Sequence, residues 1–251
     1  MQNNYPTLFL FLFLFIACNS KSVLVKTETQ QYALGKTSAI DSSVYQTILP
    51  YSQKVNSIMD SVIGQSETAM EKGQPESKLG DFVTDAVLYQ ANKICSSTGQ
   101  PKVDFAFVNN GGLRAALPYG DITVGNIFSL MPFENEMTVL TLNGNFTRQL
   151  IDFIIDKGGM PVSNIKIVIK NKKAIEIKIN GVDFDSRKTF RVVTSDYLAN
   201  GGDKLTFLNE ALKKENLNLK LRDALLIRIK ELTASGKKIN PKIEGRITYE
   251  Q

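Results

Sequence analysis

The chain has 251 residues, of which 43% are hydrophobic and 22% charged, a composition typical of globular proteins. It contains no histidine, which excludes a histidine-ligated zinc, iron or manganese centre, a histidine general base and a catalytic triad. The formal net charge of +5 is mild and the lysines are spread along the chain, which argues against polynucleotide binding and is compatible with a small anionic ligand.

The first residues have the features of an export signal. Residues 7–17 form an apolar run that is too short to span a bilayer as a helix and has the length of a signal-peptide core. The run leads into Cys18 in a sequence that resembles a bacterial lipobox, although residues 1–6 lack lysine and arginine and Phe15 stands where leucine is usual. The alternative is an ordinary cleaved signal with an incidental cysteine. We expect a signal peptide over 1–17, acylation of Cys18, and an extracytoplasmic lipoprotein anchored to the inner or outer membrane.

The residues that follow Cys18 are polar. Over 18–43 we expect the lipidated N-terminus and a tether, with short strands at 23–25 and around 30–34. The folded domain is expected to span 44–251.

Apolar periodicity predicts the elements of that domain. A helical spacing over 44–63 is interrupted early by Pro50, and 63–70 is predicted to be extended. The elements predicted after it are, in chain order, a helix at 79–95, a strand at 103–108, a short extended segment at 121–123, a helix at 124–130, a strand at 137–142, a helix at 146–155, a hairpin over 165–179, a strand at 190–194, a helix at 219–232 and a strand at 245–249. Helices and strands mix without strict alternation, so we predict an α+β fold (α/β in the broad sense), with mixed sheets flanked by helices.

Three predicted loops combine glycines with polar or aromatic residues. The segment 109–114 (NNGGLR) has paired glycines, amide side chains and an arginine, and these allow close backbone approach and phosphate binding. The segments 131–135 (MPFEN) and 196–203 (DYLANGGD) each add an aromatic ring, and the second adds a carboxylate suited to a ribose diol. Each signal alone is weak, since paired glycines are usually turns and a phenylalanine after proline is usually a core residue.

Taken together and in order, the motifs resemble the C-terminal domain of the 5′-nucleotidase family, which includes bacterial UDP-sugar hydrolases. The likeness covers about residues 44–249 and rests on four segments: ESKLGDFVTDA at 76–86, residues 104–114 with GDIT at 120–123, LMPFEN at 130–135 and FRVVTSDYLANGGD at 190–203. The segment PKIEGRI at 241–247 is similar to the closing stretch of the family. The resemblance implies a substrate-binding domain that works with a histidine-containing, two-metal phosphoesterase domain.

The resemblance also implies roles for individual residues. Phe133 and Tyr197 are similar to an aromatic pair that stacks on the base, and Asp203 is similar to the acceptor of the ribose diol. Asn109 is expected near the base, Gly112 gives backbone access, and Arg114 contacts ribose and phosphate.

Three positions depart from the family pattern. Pro75 stands where a second arginine is frequent, which puts phosphate anchoring in doubt. Tyr197 replaces the more usual phenylalanine and keeps a π face, and Lys204 stands where glycine is common and partly replaces the lost positive charge.

Two functions follow as hypotheses. In the first, this lipoprotein binds a nucleotide or nucleoside for a split 5′-nucleotidase-type phosphohydrolase, and a separate metallophosphoesterase subunit supplies the chemistry. No cofactor is then expected on this chain, and divalent metals are expected only on the partner. In the second, the chain is a non-catalytic extracytoplasmic nucleotide-binding or sensor lipoprotein. A degenerate domain kept only for structural contacts is a third interpretation, which the joint presence of the site residues opposes.

Overall fold

The computed structural model describes residues 23–32 and 40–250, so the predicted signal peptide and Cys18 lie outside the described residues. The chain divides into two units, Met1–Thr47 and Ile48–Gln251. In the first unit, residues 23–32 form no strand, and the strand predicted at 23–25 is therefore wrong. The three apolar side chains there are each at least 75% exposed. These residues pair with no strand in the described part of the chain, and an isolated strand is not stable in water. The strand predicted around 30–34 falls partly outside the described residues.

The first described helix, α1, spans Ser42–Met59 and continues through Pro50. The predicted interruption at Pro50 is therefore wrong, because a proline removes one backbone hydrogen bond and a long helix can continue past that loss. The carboxylate of Asp41 stabilises the start of the helix by accepting a hydrogen bond from the Ser43 amide at 2.9 Å. None of the described helices combines the length and apolar character needed to cross a bilayer.

The second unit contains most of the regular structure. Its strands are β1 (Val62–Ser66), β2 (Phe105–Phe107), β3 (Gly120–Thr123), β4 (Glu136–Asn143), β5 (Val162–Ser163), β6 (Ile165–Lys170), β7 (Lys173–Ile179), β8 (Val182–Asp183), β9 (Thr189–Ser195), β10 (Lys213–Lys220) and β11 (Ile247–Tyr249). Its helices beyond α1 are α2 (Lys78–Ser97), α3 (Val124–Leu130), α4 (Gly144–Asp156), the short α5 (Asp196–Ala199) and α6 (Leu221–Ala234).

The strands form three sheets, with the orders β1-β3, β10-β4-β9-β2-β5 and β11-β6-β7-β8. The pairs β2–β9 and β11–β6 are parallel and the remaining pairs are antiparallel. Both larger sheets are therefore mixed, and the helices flank them. The predicted α+β class is confirmed.

Strand alternation in the central five-stranded sheet separates two hydrophobic cores. In β9, Val193 packs into one core and its neighbour Val192 into the other, and Val139 and Leu140 of β4 divide in the same way. The first core also contains buried residues of α2 and α6. The second contains those of α4 and of the sheet formed by β6, β7 and β11. The central sheet is therefore buried on both faces.

The edge strand β10 was missed by the sequence prediction, and α6 begins at Leu221 rather than at 219. The sequence of β10, KKENLNLK, is rich in charged and amide side chains, and it pairs only with β4. Charged side chains are common at sheet edges, where they oppose association with other strands, and they hide the apolar alternation on which the prediction relied.

Two segments that are distant in sequence meet in a partly buried cluster of charged residues. The Glu76 carboxylate accepts hydrogen bonds from the backbone amides of Glu244 at 2.8 Å and Arg246 at 2.6 Å. The Arg246 guanidinium, 8% exposed, donates two hydrogen bonds of 2.8 Å to Asp85 and lies 3.7 Å from the buried Asp81. These contacts fix the closing strand β11 against the start of α2.

Candidate functional site

The central sheet brings the three glycine-containing and aromatic segments to one edge. Strands β2 and β9 are parallel neighbours, with Ala106 opposite Val193, so the segments that follow them leave the sheet at the same edge. Strand β4 is antiparallel to β9, with its early residue Met137 opposite Ser195. The segment that precedes β4 therefore reaches this edge as well.

Asp203 holds two of these segments together. One oxygen of its carboxylate accepts a hydrogen bond from the Tyr197 hydroxyl at 2.8 Å, and the other accepts one from Asn109 Nδ2 at 2.6 Å. The Tyr197 oxygen in turn accepts a hydrogen bond from the Asp203 backbone amide at 3.2 Å. A carboxylate has about four acceptor positions, so roughly two remain free, the number that the two hydroxyls of a ribose diol require.

The aromatic cleft is a concave site of about 390 Å³ at this edge. Phe133 and Tyr197 both line it, and each is 47% exposed. The alternative that Phe133 is a core residue is therefore wrong. The remaining wall of the cleft is polar backbone and side chain, provided by Asn109, Gly111, Gly112, Asn135 and Asp203. Its volume lies within the range of small-molecule sites.

Two glycines are required by the packing of this cleft. A Cβ atom added at Gly202 would lie 2.6 Å from the Tyr197 ring, and one added at Gly112 would lie 2.9 Å from Asn109 Oδ1. The absence of a side chain at Gly202 allows the tyrosine ring to lie against the backbone of its own loop. Gly112 leaves room for the amide that donates to Asp203.

The loop that carries Phe133 is fixed from the opposite side. The carboxylate of its neighbour Glu134 accepts hydrogen bonds from Lys220 and Arg222, and these lower the pKa of Glu134 to about 2. The Asn135 carbonyl accepts a hydrogen bond from the Leu221 amide at 3.0 Å. The Phe133 ring therefore projects from a backbone anchored to the start of α6.

The loop that carries Tyr197 is anchored by the residues beside it. The Ser195 hydroxyl accepts a hydrogen bond from the Leu198 amide at 3.1 Å and caps α5. Asp196 Oδ1 accepts hydrogen bonds from the amides of Tyr197 at 2.7 Å and Glu136 at 3.2 Å. The second bond connects this loop to Glu136, the first residue of β4. Because Phe133 lies in the segment just before β4, the positions of both aromatic residues depend on that strand.

Arg114 is the one predicted site residue that does not line the aromatic cleft. Its side chain is exposed, and among the described residues its guanidinium has one polar contact, with the Gly111 carbonyl at 3.5 Å. The sequence prediction in turn omitted Asn135, which lines the cleft two residues after Phe133. Its position within the LMPFEN segment was the signal that could have identified it.

The described residues do not fit a hydrolytic metal centre. Within 23–32 and 40–250, no three histidine, cysteine, aspartate or glutamate side chains cluster so that they could hold a metal ion.

Comparison with known proteins identifies the family. The family model described as "5'-nucleotidase, C-terminal domain" matches residues 62–210, more than half of the chain. The chain belongs to this family. The match includes the aromatic cleft and all three segments that build it, and it confirms the resemblance that the motifs indicated.

Three similar proteins place the domain among longer relatives. The trifunctional nucleotide phosphoesterase protein YfkN of Bacillus subtilis is 28% identical over 224 residues, which cover 80% of this chain and 15% of that protein. The cell wall protein Lmo0130 of Listeria monocytogenes is 29% identical over 194 residues, covering 69% of this chain and 24% of that protein. The crystal structure of a 5′-nucleotidase precursor from Thermus thermophilus superposes with a TM-score of 0.68 at 26% identity, covering 82% of this chain and 43% of that chain. The chain thus spans less than half the length of each of these relatives.

Proposed function

We propose that this chain is the nucleotide- or nucleoside-binding part of a split 5′-nucleotidase-type phosphohydrolase, with hydrolysis carried out by a separate metallophosphoesterase subunit. The observation that carries the proposal is the aromatic cleft, where Phe133, Tyr197 and Asp203 line one site of about 390 Å³. Two half-exposed aromatic rings bind a planar base by stacking, and a carboxylate with free acceptor positions binds a sugar diol.

The separate hydrolytic subunit is proposed because this chain lacks the histidines that usually hold hydrolytic metals. The sequence contains no histidine, and the described carboxylates form no metal-binding cluster. The aromatic cleft can bind and orient a nucleotide, and its lining contains no histidine and no metal-binding cluster. Divalent metals are accordingly assigned to the partner.

We also propose an extracytoplasmic location with a lipid anchor at Cys18. The relative Lmo0130 supports the location, since it is named a cell wall protein. The apolar run at 7–17 followed by Cys18 supports the anchor.

Calorimetric titration of a soluble form that starts at Asn19 tests the binding function. Nucleosides or their monophosphates should bind, and Phe133→Ala and Tyr197→Ala should each weaken binding by about 1–3 kcal/mol through loss of one stacking contact. Tyr119→Ala is the matched control, because Tyr119 is 74% exposed and does not line this cleft. Absence of binding by the wild-type protein, or equal losses in the Tyr119 variant, would refute the proposal.

A phosphate-release assay tests whether hydrolysis requires a separate subunit. The purified soluble form should release no phosphate from AMP, with or without zinc, manganese or cobalt. Addition of a metallophosphoesterase recovered with the native protein should produce phosphate release that Phe133→Ala reduces. Metal-stimulated hydrolysis by the chain alone would contradict the split enzyme. Nucleotide binding with no hydrolytic partner in the native complex would instead support the non-catalytic binding or sensor function.

A further inference from the structure

A second cavity of about 400 Å³ adjoins the aromatic cleft. The two share Asn109, Gly111 and Asp203 as a common wall. A ligand whose sugar is bound at Asp203 can therefore extend from one space into the other. The rest of the second cavity is lined by Gln74, Asn110, Phe153, Lys157, Met160 and Lys204.

Two lysines from different elements line this cavity. Lys157 caps the C-terminal end of α4 and its ammonium lies 5.2 Å from the centroid of the Phe153 ring, while Lys204 lies in the turn after the Gly201-Gly202 pair. In the part of the chain that the structure describes, neither ammonium forms an ion pair or a side-chain hydrogen bond. Both are exposed and available to an anion.

The backbone at Lys204 is unusual for a lysine. Its φ is 73°, and that of Asp203 is 53°, so both residues occupy the left-handed region that favours glycine. Side chains in this region are disfavoured, and such residues concentrate at functional sites. Here the two side chains line the cavity as a neighbouring anion and cation.

Some polar groups around the cavity are already hydrogen-bonded, and one acceptor, Asn110 Oδ1, is buried without a partner among the described residues. Gln74 Nε2 donates to the carbonyls of Lys157 at 2.6 Å and Gly159 at 2.9 Å. The Asp203 carboxylate accepts from Tyr197 and Asn109. Two lysines and one aspartate leave the lining with an excess of one positive charge.

We propose that this second cavity binds the phosphate of a nucleotide whose base occupies the aromatic cleft, with Lys157 and Lys204 as its cationic contacts. The inference rests on the proposed function of the aromatic cleft and narrows it from nucleosides in general to phosphorylated nucleosides. It assigns anion recognition to two lysines rather than to Arg114, which lines neither cavity.

Paired titrations test this assignment. Adenosine, guanosine, cytidine and uridine are each compared with their 5′- and 3′-monophosphates, using wild-type protein, Lys157→Ala, Lys204→Gly and the double variant. Each single substitution should weaken monophosphate binding about threefold to tenfold, as for loss of one exposed or partly exposed charge contact, and leave nucleoside binding unchanged. The double variant should bind monophosphates less tightly than either single variant, and the salt dependence of binding should fall.

Lys172→Gly is the matched control. Lys172 also has a positive φ, 59°, and lies in the turn between β6 and β7, so this substitution removes the same charge and relieves the same backbone conformation as Lys204→Gly. It should leave both affinities unchanged. The phosphate site is refuted if the wild-type protein binds nucleosides as tightly as their monophosphates, or if the lysine variants keep the wild-type affinity for monophosphates. Neither result would affect the proposed base binding by the aromatic cleft. Wild-type protein that binds neither class would refute the proposed function and this inference together.

Discussion

The buried carboxyl group of Asp81 should make the stability of this domain depend on pH near neutrality. Asp81 is 2% exposed, and one of its oxygens is buried without a hydrogen-bond partner. Burial raises its pKa from 3.8 to about 8, although the neighbouring Arg246 opposes the shift. The folded state therefore holds a proton that the unfolded state has released, throughout the interval between these two pKa values.

The direction and size of the effect follow from proton linkage. Since the folded state binds more protons than the unfolded state above pH 4, the free energy of unfolding should fall as pH rises towards 8. Each pH unit contributes up to about 1.4 kcal/mol, which gives about 3 kcal/mol between pH 5 and 7. The chain has no histidine to titrate in this window. The lowered pKa values of Glu134 and Asp185, each about 2, act only at lower pH.

Urea denaturation at pH 5, 6 and 7 measures this slope. Asp81→Asn should flatten it, because an amide does not ionise. Asp152→Asn is the control, since Asp152 forms an exposed ion pair with Arg148 at 3.0 Å and its substitution should leave the slope unchanged. A wild-type stability that is constant or rises from pH 5 to 7, or a slope that persists in Asp81→Asn, would refute the reasoning.

Three further predictions concern the cleft and the anchor. Tyr197→Phe keeps the stacking face of the ring and removes the hydroxyl bonded to Asp203, so it should weaken ribonucleoside binding by about 0.5–1.5 kcal/mol in calorimetry. A loss as large as that of Tyr197→Ala would contradict separate contributions from the ring and the hydroxyl. Asp203→Ala should abolish the preference for ribose over 2′-deoxyribose ligands, and an unchanged preference would exclude the carboxylate as diol acceptor. Cys18→Ser should lose fatty-acid labelling and detergent partitioning, whereas a wild-type protein that takes up no label would reject the lipid anchor.

The sequence contained enough information to predict the cleft but not the second cavity. Phe133 precedes the apolar strand β4, and Tyr197 and Asp203 follow the apolar strand β9. The sequence motifs that contain these residues identified the segments of the cleft. Which segments meet depends on strand order, and the parallel contact of β2 with β9 joins residues about 87 positions apart, a pairing that local periodicity does not encode. Lys157 gave no sequence signal, because a lysine at the end of an amphipathic helix is usually a solvated cap residue.

Elements with strong apolar periodicity were predicted best. The helices at 79–95 and 146–155 correspond to α2 and α4, whose buried faces supply much of the two cores. The polar strand β10 was not predicted, because charged and amide side chains surround Leu217 and Leu219, which pack against the first core. The interruption predicted at Pro50 also failed, since the rule for proline describes an average cost and not a fixed break.

The division of the central strands between two cores has a consequence for cooperativity. Neighbouring residues of β4 and β9 enter opposite cores, so a shift of either strand by one position would exchange the side chains of both cores at once. Neither core can loosen without disturbing the strands that it shares with the other. We therefore expect the amides of β4 and β9 to exchange with solvent only in global unfolding. The loops of the aromatic cleft, which begin where these strands end, are attached to the most slowly opening part of the molecule.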